Sequence, residues 1–433
     1  TSTAISLTTT TANSNVGTGN GGLFFVGNLG SLSISTSTFQ SNGGTTASGG
    51  IGVIYPLSTA TMTINDNTFT SNSAGSNYYG GCFYVSSGNT VTLNVKNNVF
   101  TGNTANYGAC FFLSSFGKLT ATIEGNTFDA SNLVSNGGGF YLSGTAVTGS
   151  FINMTNNIVR NHTPLAANAQ GHLIYYIQQV TSSIVLKGNQ FSNNIVNSMV
   201  RASSAATLTS TNNYFDNTNC ITGCVYITLP SGQTVATGSS TNDTFNNVIS
   251  PYMLGFPPTT TSLTVTSLVT SGTTSGTAVR TTGSGTALVK LMSVTVAVNS
   301  NFLIAELKTN NLQLGSAVFN YNSILDRTLL QFDQPFATAP ADWSSVTITN
   351  FNTTAQCYAN VPHMTIAYYE RLWNSVNCMS LTDLSPTPVS QSISGIYVLR
   401  SEEMWLPMAN SKATLTSGCL KLVGAVNITI LAG

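Results

Sequence analysis

Along the first half of the chain, apolar and polar residues alternate in short runs that recur at a nearly constant interval. Leu32 and Ile34, Met62 and Ile64, Leu93 and Val95, Ala121 and Ile123, Ile152 and Met154, and Ile184 and Leu186 are the apolar members of these runs. Interleaved with them stand Ser31 and Ser33, Thr61 and Thr63, Thr92 and Asn94, Thr120 and Thr122, and Phe151 and Asn153, with Thr207 and Thr209 in a later run. Period-two alternation marks a strand with one buried and one wet face. The pattern therefore predicts a series of short strands, the first set of residues inward and the second outward. Helical repeats do not fit, because Gly, Asn and β-branched residues recur where a helix needs good helix formers.

Each run leads into a landmark. Phe39-Gln40-Ser41-Asn42, Phe69-Thr70-Ser71-Asn72, Phe100-Thr101-Gly102-Asn103 and Phe191-Ser192-Asn193-Asn194 share a Phe-x-x-Asn pattern, with looser copies at Phe128, Val159, Phe215 and Phe245. By subtraction, successive anchors are 30, 31, 28, 31, 32, 24 and 30 residues apart. Between anchors falls a second element, seen in Gly21-Gly22-Leu23-Phe24-Phe25-Val26, Gly80-Gly81-Cys82-Phe83-Tyr84-Val85 and Gly137-Gly138-Gly139-Phe140-Tyr141-Leu142. A fixed period with two landmarks is the mark of a repeat architecture in which each unit buries its core against the next.

Two positions before the anchors stand Asn67, Asn98, Asn126, Asn157, Asn189 and Asn213, with Ser37 and Asp243 at the ends. Asparagine tolerates left-handed backbone and bonds to nearby main chain, which suits it to a tight corner. Stacked one coil apart, such amides also bond to each other. The paired glycines read as corners that need positive φ or close backbone approach. Together these features predict an all-β chain, a right-handed parallel β-helix whose coils are about 30 residues long.

The GGxF and FxxN elements at this spacing resemble the repeats of the polymorphic outer membrane protein family, over roughly residues 17 to 250. The resemblance implies a surface-exposed parallel β-helix, secreted for adhesion or display, and it brings no catalytic residues. The chain departs from that family in having no recognisable outer-membrane barrel pattern at its C-terminal end. The same solenoid architecture is shared with polysaccharide lyases and pectin hydrolases.

Residues 1–250 are thus expected to form the regular helix, 251–330 an irregular continuation, and 331–433 a C-terminal β-rich cap or assembly region. Trp343, Trp373 and Trp405 all fall in the last segment, which ends on an alternating stretch, Val426 to Ile430. A solenoid end exposes core and strand edges, so a differently composed cap is physically required.

Composition narrows the function. Charged residues are 6% of the chain, 13 basic against 13 acidic, where a globular domain has about 25%. Nucleic acid and anionic membranes both need clustered Lys and Arg, so neither is expected as a partner. The sequence has no apolar run long enough to span a bilayer, and its start at Thr1, without a leader, reads as a processed chain. The repeat region's acidic residues, Asp66, Glu124, Asp129, Asp216 and Asp243, form no aligned cluster of the kind glycosidase or lyase chemistry needs. His162, His172 and His363 lack metal-ligand spacing. No enzyme activity, metal or cofactor is expected.

Seven cysteines leave at least one unpaired within the chain. Cys220 and Cys224 are close enough for a local disulfide. Cys82 and Cys110 occupy equivalent repeat positions, so they stack either as a disulfide or as a buried thiol ladder. Glycosylation sequons occur at Asn153, Asn161, Asn242, Asn352 and Asn427, Asn153 being on the outward row. The reading that unites these features is an extracellular or cell-surface structural glycoprotein. It would be a subunit of a filament, coat or adhesive surface that acts by self-assembly and display. The alternative is a carbohydrate-binding or polysaccharide-cleaving β-helix that stacks sugars on surface aromatics. A third reading, ice binding, rests on the Thr rows at Thr61/Thr63, Thr120/Thr122 and Thr207/Thr209.

Overall fold

The computed structural model describes residues 3–256, apart from single positions and the segments 145–148, 164–171, 178–181, 204–205 and 229–235, and further strands as far as Ala413–Leu415. The chain divides into two compact units, Thr1–Val235 and Ala236–Gly433. Every element is a strand, with no helix among the described residues.

In the first unit each coil has three faces. A long face comes first, built from Leu29–Ser35, Ala60–Asn65, Val91–Lys96, Leu119–Glu124, Ser150–Thr155, Ser182–Lys187 and Ala206–Thr211. Each of these strands pairs in parallel with the next. A short face follows, with Thr38–Gln40, Thr68–Thr70, Val99–Thr101 and Thr127–Asp129 stacked in parallel and continuing to Tyr214–Asp216. A third face contains Phe24–Val26, Gly52–Ile54, Phe83–Ser86, Phe111–Phe116, Phe140–Gly144, His172–Ile177, Ser198–Ser203 and Val225–Thr228, again all parallel. The parallel β-helix predicted from the repeat is therefore the observed fold.

Register follows the sequence landmarks. Met62 lies between Leu32 and Leu93, and the same row continues through Ala121, Ile152, Ile184 and Leu208. All are buried, and the interleaved Ser and Thr residues face outward. A slip by one residue would turn every one of these side chains to the wrong face.

The anchor phenylalanines fill the core as a column. Phe39, Phe69, Phe100 and Phe128 stack nearly face to face, with centroids 5.3, 4.7 and 5.0 Å apart. A second column, Phe83, Phe111 and Phe140, rises from the third face at 5.3 and 5.1 Å. The columns meet edge to face, Phe69 against Phe83 and Phe128 against Phe140 at 5.7 and 5.4 Å. Such contacts add about 0.5–1.5 kcal/mol per pair beyond burial alone.

The turn from long to short face needs one residue in the left-handed region. That residue is Thr36, Asp66, Asn97, Gly125, Asn156, Gly188 or Asn212, with φ between 48° and 66°. The ladder asparagine comes next and points inward. Left-handed backbone, expected at the ladder asparagines themselves, thus belongs to the residue before them. One residue swings the chain round, which leaves the following side chain aimed into the core.

The second unit also stacks in parallel. Ala236–Asn246, Thr260–Ser271, Gly285–Leu291 and Thr309–Leu314 form one sheet. Ile249–Phe256, Ser275–Thr281, Phe302–Leu307 and Leu330–Phe332 form another. Register shifts between Ala236–Asn246 and Thr260–Ser271 mark its irregularity. Past 331 the described strands are short, and two of them, Val346–Thr349 and Ala413–Leu415, stack in parallel with Val318–Asn320. The expected strand from Val426 to Ile430 and the side chains of all three tryptophans lie outside the described residues.

Candidate functional site: an aromatic face held by internal ladders

The ladders fix the spacing of everything on the surface. Asn98 donates through its main-chain N–H and its Nδ2 to Asn126 Oδ1, both at 2.9 Å, and Asn67 donates in the same way to Asn98 Oδ1. The pattern continues from Asn126 through Asn157 and Asn189 to Asn213. Each ladder amide also donates to a carbonyl of the preceding coil, such as Asn98 Nδ2 to Ile64 O at 2.8 Å. These asparagines are at most 2% exposed, and buried polar groups are tolerated only when satisfied in this way.

A second ladder runs through the Asn of Phe-x-x-Asn. Asn42 donates to Asn72 Oδ1 at 2.9 Å and Asn72 to Asn103 Oδ1 at 3.0 Å. His162 takes the equivalent place in a later coil. Its main-chain N–H donates to Asn194 Oδ1 at 3.1 Å, while its Nε2 lies 3.2 Å from Phe128 O. In the sequence this asparagine stands out only as a landmark. Its strict distance from the buried Phe was the available signal.

The glycine pairs set the corner before the third face. The first glycine, at Gly21, Gly49, Gly80 and Gly108, has φ of 62° to 82°. The second, at Gly22, Gly50 and Gly81, has its missing side chain aimed at a carbonyl of the next coil. From that corner the strand alternates Phe inward and aromatic outward. The outward row runs Phe25, Val53, Tyr84, Phe112, Tyr141. Val53 interrupts it, and Tyr55 bridges the gap, its ring 5.5 Å from Phe25 and 5.9 Å from Tyr84.

Tyr84, Phe112 and Tyr141 stack at 5.4 and 4.7 Å, with ring planes within 11° of parallel. A flanking column places Tyr79 5.4 Å from Tyr107 and 4.6 Å from Phe112, and Tyr107 5.3 Å from Tyr141. Beside the row run the outward serines Ser86, Ser114 and Ser143. Phe25 is 55% exposed and Phe112 only 7%, so the row is an outer aromatic layer whose central rings cover each other. Burial, reinforced by the charge and hydrogen bonding of Tyr84, raises the Tyr55 phenol above its ordinary pKa.

Charges elsewhere pair between coils. Lys96 lies 2.9 Å from Glu124, and Arg160 lies 2.8 Å from Asp129, each pair in register on adjacent strands. Burial opposes ionisation of Asp129. Hydrogen bonds from Asn161 and Arg160, with the charges of Arg160 and His162, outweigh it and hold the carboxyl below its usual range. Among the described residues, no three of His, Cys, Asp and Glu come together as a metal site.

Of the sequons, Asn153 lies on the outward row with its Oδ1 accepting from Thr155 Oγ1 at 3.0 Å. Asn161 is exposed, has left-handed backbone, and donates through Nδ2 to Asp129 Oδ1 at 2.8 Å. Asn242 is likewise exposed, with φ 55°. Asn352 and Asn427 lie outside the described residues, as do Cys357, Cys378 and Cys419. Cys220 and Cys224 are disulfide-bonded.

Cys82 and Cys110 are buried thiols, which removes the disulfide alternative for this pair. In-register neighbours project in parallel, so their Cβ atoms stay about one coil spacing, ~4.8 Å, apart, outside the ~3.5–4.5 Å a disulfide spans. Burial, with a hydrogen bond to Cys110, pushes the Cys82 thiol well above its ordinary pKa.

Among the described residues, no helix is long and apolar enough to cross a membrane. Comparison with protein-family models, with curated proteins and with solved structures yields no match.

Proposed function

We propose that this protein is an extracellular or cell-surface structural solenoid, a subunit of a filament, coat or adhesive surface that works by display and self-assembly rather than by catalysis. The observation that carries this reading is the outer aromatic layer from Phe25 to Tyr141, mounted on coils locked together by two asparagine ladders. A scaffold stiffened at every coil can hold a surface pattern in fixed register over a long distance. The resemblance of the GGxF and FxxN elements to polymorphic outer membrane proteins points the same way, and exposed sequons at Asn161 and Asn242 suit a glycosylated exterior.

The alternative, sugar binding by stacking, asks for open ring faces. Here the faces of Tyr84, Phe112 and Tyr141 turn toward one another, which favours an assembly or display surface over a row of sugar platforms. Negative-stain electron microscopy of source-purified protein tests the reading. Ordered fibres or sheets are expected, and monomers alone at high protein concentration would overturn it.

A further inference from the structure

Among the described residues of the first unit, the outward rows of the long face hold one aromatic side chain, Phe151. In register its row reads Ser31, Thr61, Thr92, Thr120, Phe151, Ser183 and Thr207, a hydroxyl residue in each of the remaining coils. Phe151 is 37% exposed. Its in-register neighbours, Thr120 and Ser183, are too short to cover the ring.

This ring stands two residues before a glycosylation sequon. Phe151, Asn153 and Thr155 alternate along one strand with the buried Ile152 and Met154, so all three project from the same side. Neighbours in such a series are about 6.6 Å apart along the strand. Thr155 Oγ1 donates to Asn153 Oδ1 at 3.0 Å. That contact fixes the amide and leaves Nδ2, the atom a glycan joins, on the side away from Thr155. A sugar attached there stands beside the Phe151 ring. Across the sheet, Asn153 has only Thr122 and Val185 in register, which leaves room above it.

The other four sequons have no such ring. Two places before them stand Val159, Ser240, Asn350 and Ala425, and Val159 and Ser240 are buried. Asn161 also has its Nδ2 directed at Asp129 Oδ1, 2.8 Å away.

We propose that Asn153 carries an N-linked oligosaccharide and that Phe151 is the platform on which its first sugar, an N-acetylhexosamine, packs. The proposal rests on the extracellular reading above, since the transfer takes place in a secretory compartment. The donor is an oligosaccharide on a lipid pyrophosphate. A bond forms between Asn153 Nδ2 and C1 of the first sugar, and the bond from C1 to the pyrophosphate oxygen breaks. The pyrophosphate leaves with the electron pair, and one amide proton goes to a base. Oδ1 keeps its lone pairs, so the hydrogen bond from Thr155 survives attachment. In the folded protein the apolar C–H face of the sugar covers the Phe151 ring and removes both from water.

Two measurements test this. Mass spectrometry of peptides from the source-purified full chain should find Asn153 glycosylated. The full chain secreted from a eukaryotic host, trimmed enzymatically to a single N-acetylglucosamine, should then unfold at a higher guanidinium midpoint than Asn153→Gln. Phe151→Thr places in the row the residue found at Thr120 and Thr207, and so keeps the fold. In that background the midpoint gained from the sugar should be lost, a comparison that isolates the contact between ring and sugar. A bare Asn153 in the source protein, or a gain that Phe151→Thr leaves unchanged, would overturn the proposal. Glycans at Asn161 or Asn242 with Asn153 bare would overturn it too, while leaving the extracellular reading standing. Asn153 glycosylated and braced by Phe151 in a protein that forms no fibres would uphold it and sink the assembly reading alone.

Discussion

Replacing Asn98 with leucine should be among the most damaging single changes in the chain, and replacing its neighbour Asn97 clearly milder. Leucine preserves the volume of Asn98 but removes both functions of its amide. The main-chain N–H of Asn67 loses its acceptor at 2.9 Å, and the carbonyl of Ile64 loses its donor at 2.8 Å. Both groups are buried, and a buried group left unsatisfied costs about 1–3 kcal/mol. The two together give about 2–6 kcal/mol. Asn97 is exposed and its φ is 53°, so alanine there costs about the left-handed penalty, ~1–2 kcal/mol, and glycine costs little. Guanidinium unfolding followed by circular dichroism, with midpoints compared across the three variants, reads the difference. If Asn98→Leu proved as mild as Asn97→Ala, the ladder would be decoration and the argument for a braced scaffold would fail.

Three further outcomes follow from named contacts. Gly81→Ala should destabilise strongly, since a Cβ there meets the Ala109 carbonyl and lies 2.6 Å from Thr104 O, whereas Gly88→Ala, with nothing within 4 Å, should be neutral in the same unfolding assay. Cys82 and Cys110 should not react with a thiol reagent in the native protein, because both are buried, and both should react after denaturation. Asp129 has a depressed folded pKa, so its contribution is present above the unfolded value near ~3.9 and is lost as pH falls through the folded value. Arg160→Gln should shrink that loss below about pH 4, and an identical acid profile in the two proteins would refute the pairing.

The fold was legible because its causes are periodic. Alternation at Met62 and Ile64, and a buried Phe at nearly the same interval in successive coils, leave few architectures besides stacked parallel coils. What escaped were distinctions between identical residues. Asn97 and Asn98 are the same amino acid with opposite roles, one turning the chain and one bracing the core, and only the register separates them. The second ladder hid because its members include His162 as well as asparagines. The aromatic face was visible as outward Tyr and Phe in the GGxF elements. Its continuity past Val53 was not, because Tyr55 closes the gap from two residues further along the chain. The cysteine pair needed three dimensions, since equal repeat positions imply proximity but also parallel side chains. The Thr rows on the long face are outward as expected, interrupted in register by Phe151 and Val185, and they remain a plain β-surface in this reading.

The ladders also bear on how such a molecule comes into being. Asn67, Asn98 and Asn126 bond to partners 31, 28 and 31 residues away, and few contacts of comparable strength lie within a coil. No coil can close its polar interior until its neighbour supplies the matching amides, so a nascent turn has nothing to rest on except an already finished one. Chains dominated by such distant contacts fold slowly. Once a first pair of coils exists, growth becomes templating, each completed turn acting as the mould for the next. Loss or gain of a whole repeat then leaves every junction chemically whole, whereas an added residue inside a paired strand would slip that strand against both neighbours; the varying distance between anchors shows that the corners take up the other changes in length. Length in this protein can therefore vary in evolution by whole coils, or at the corners, far more easily than within the paired strands.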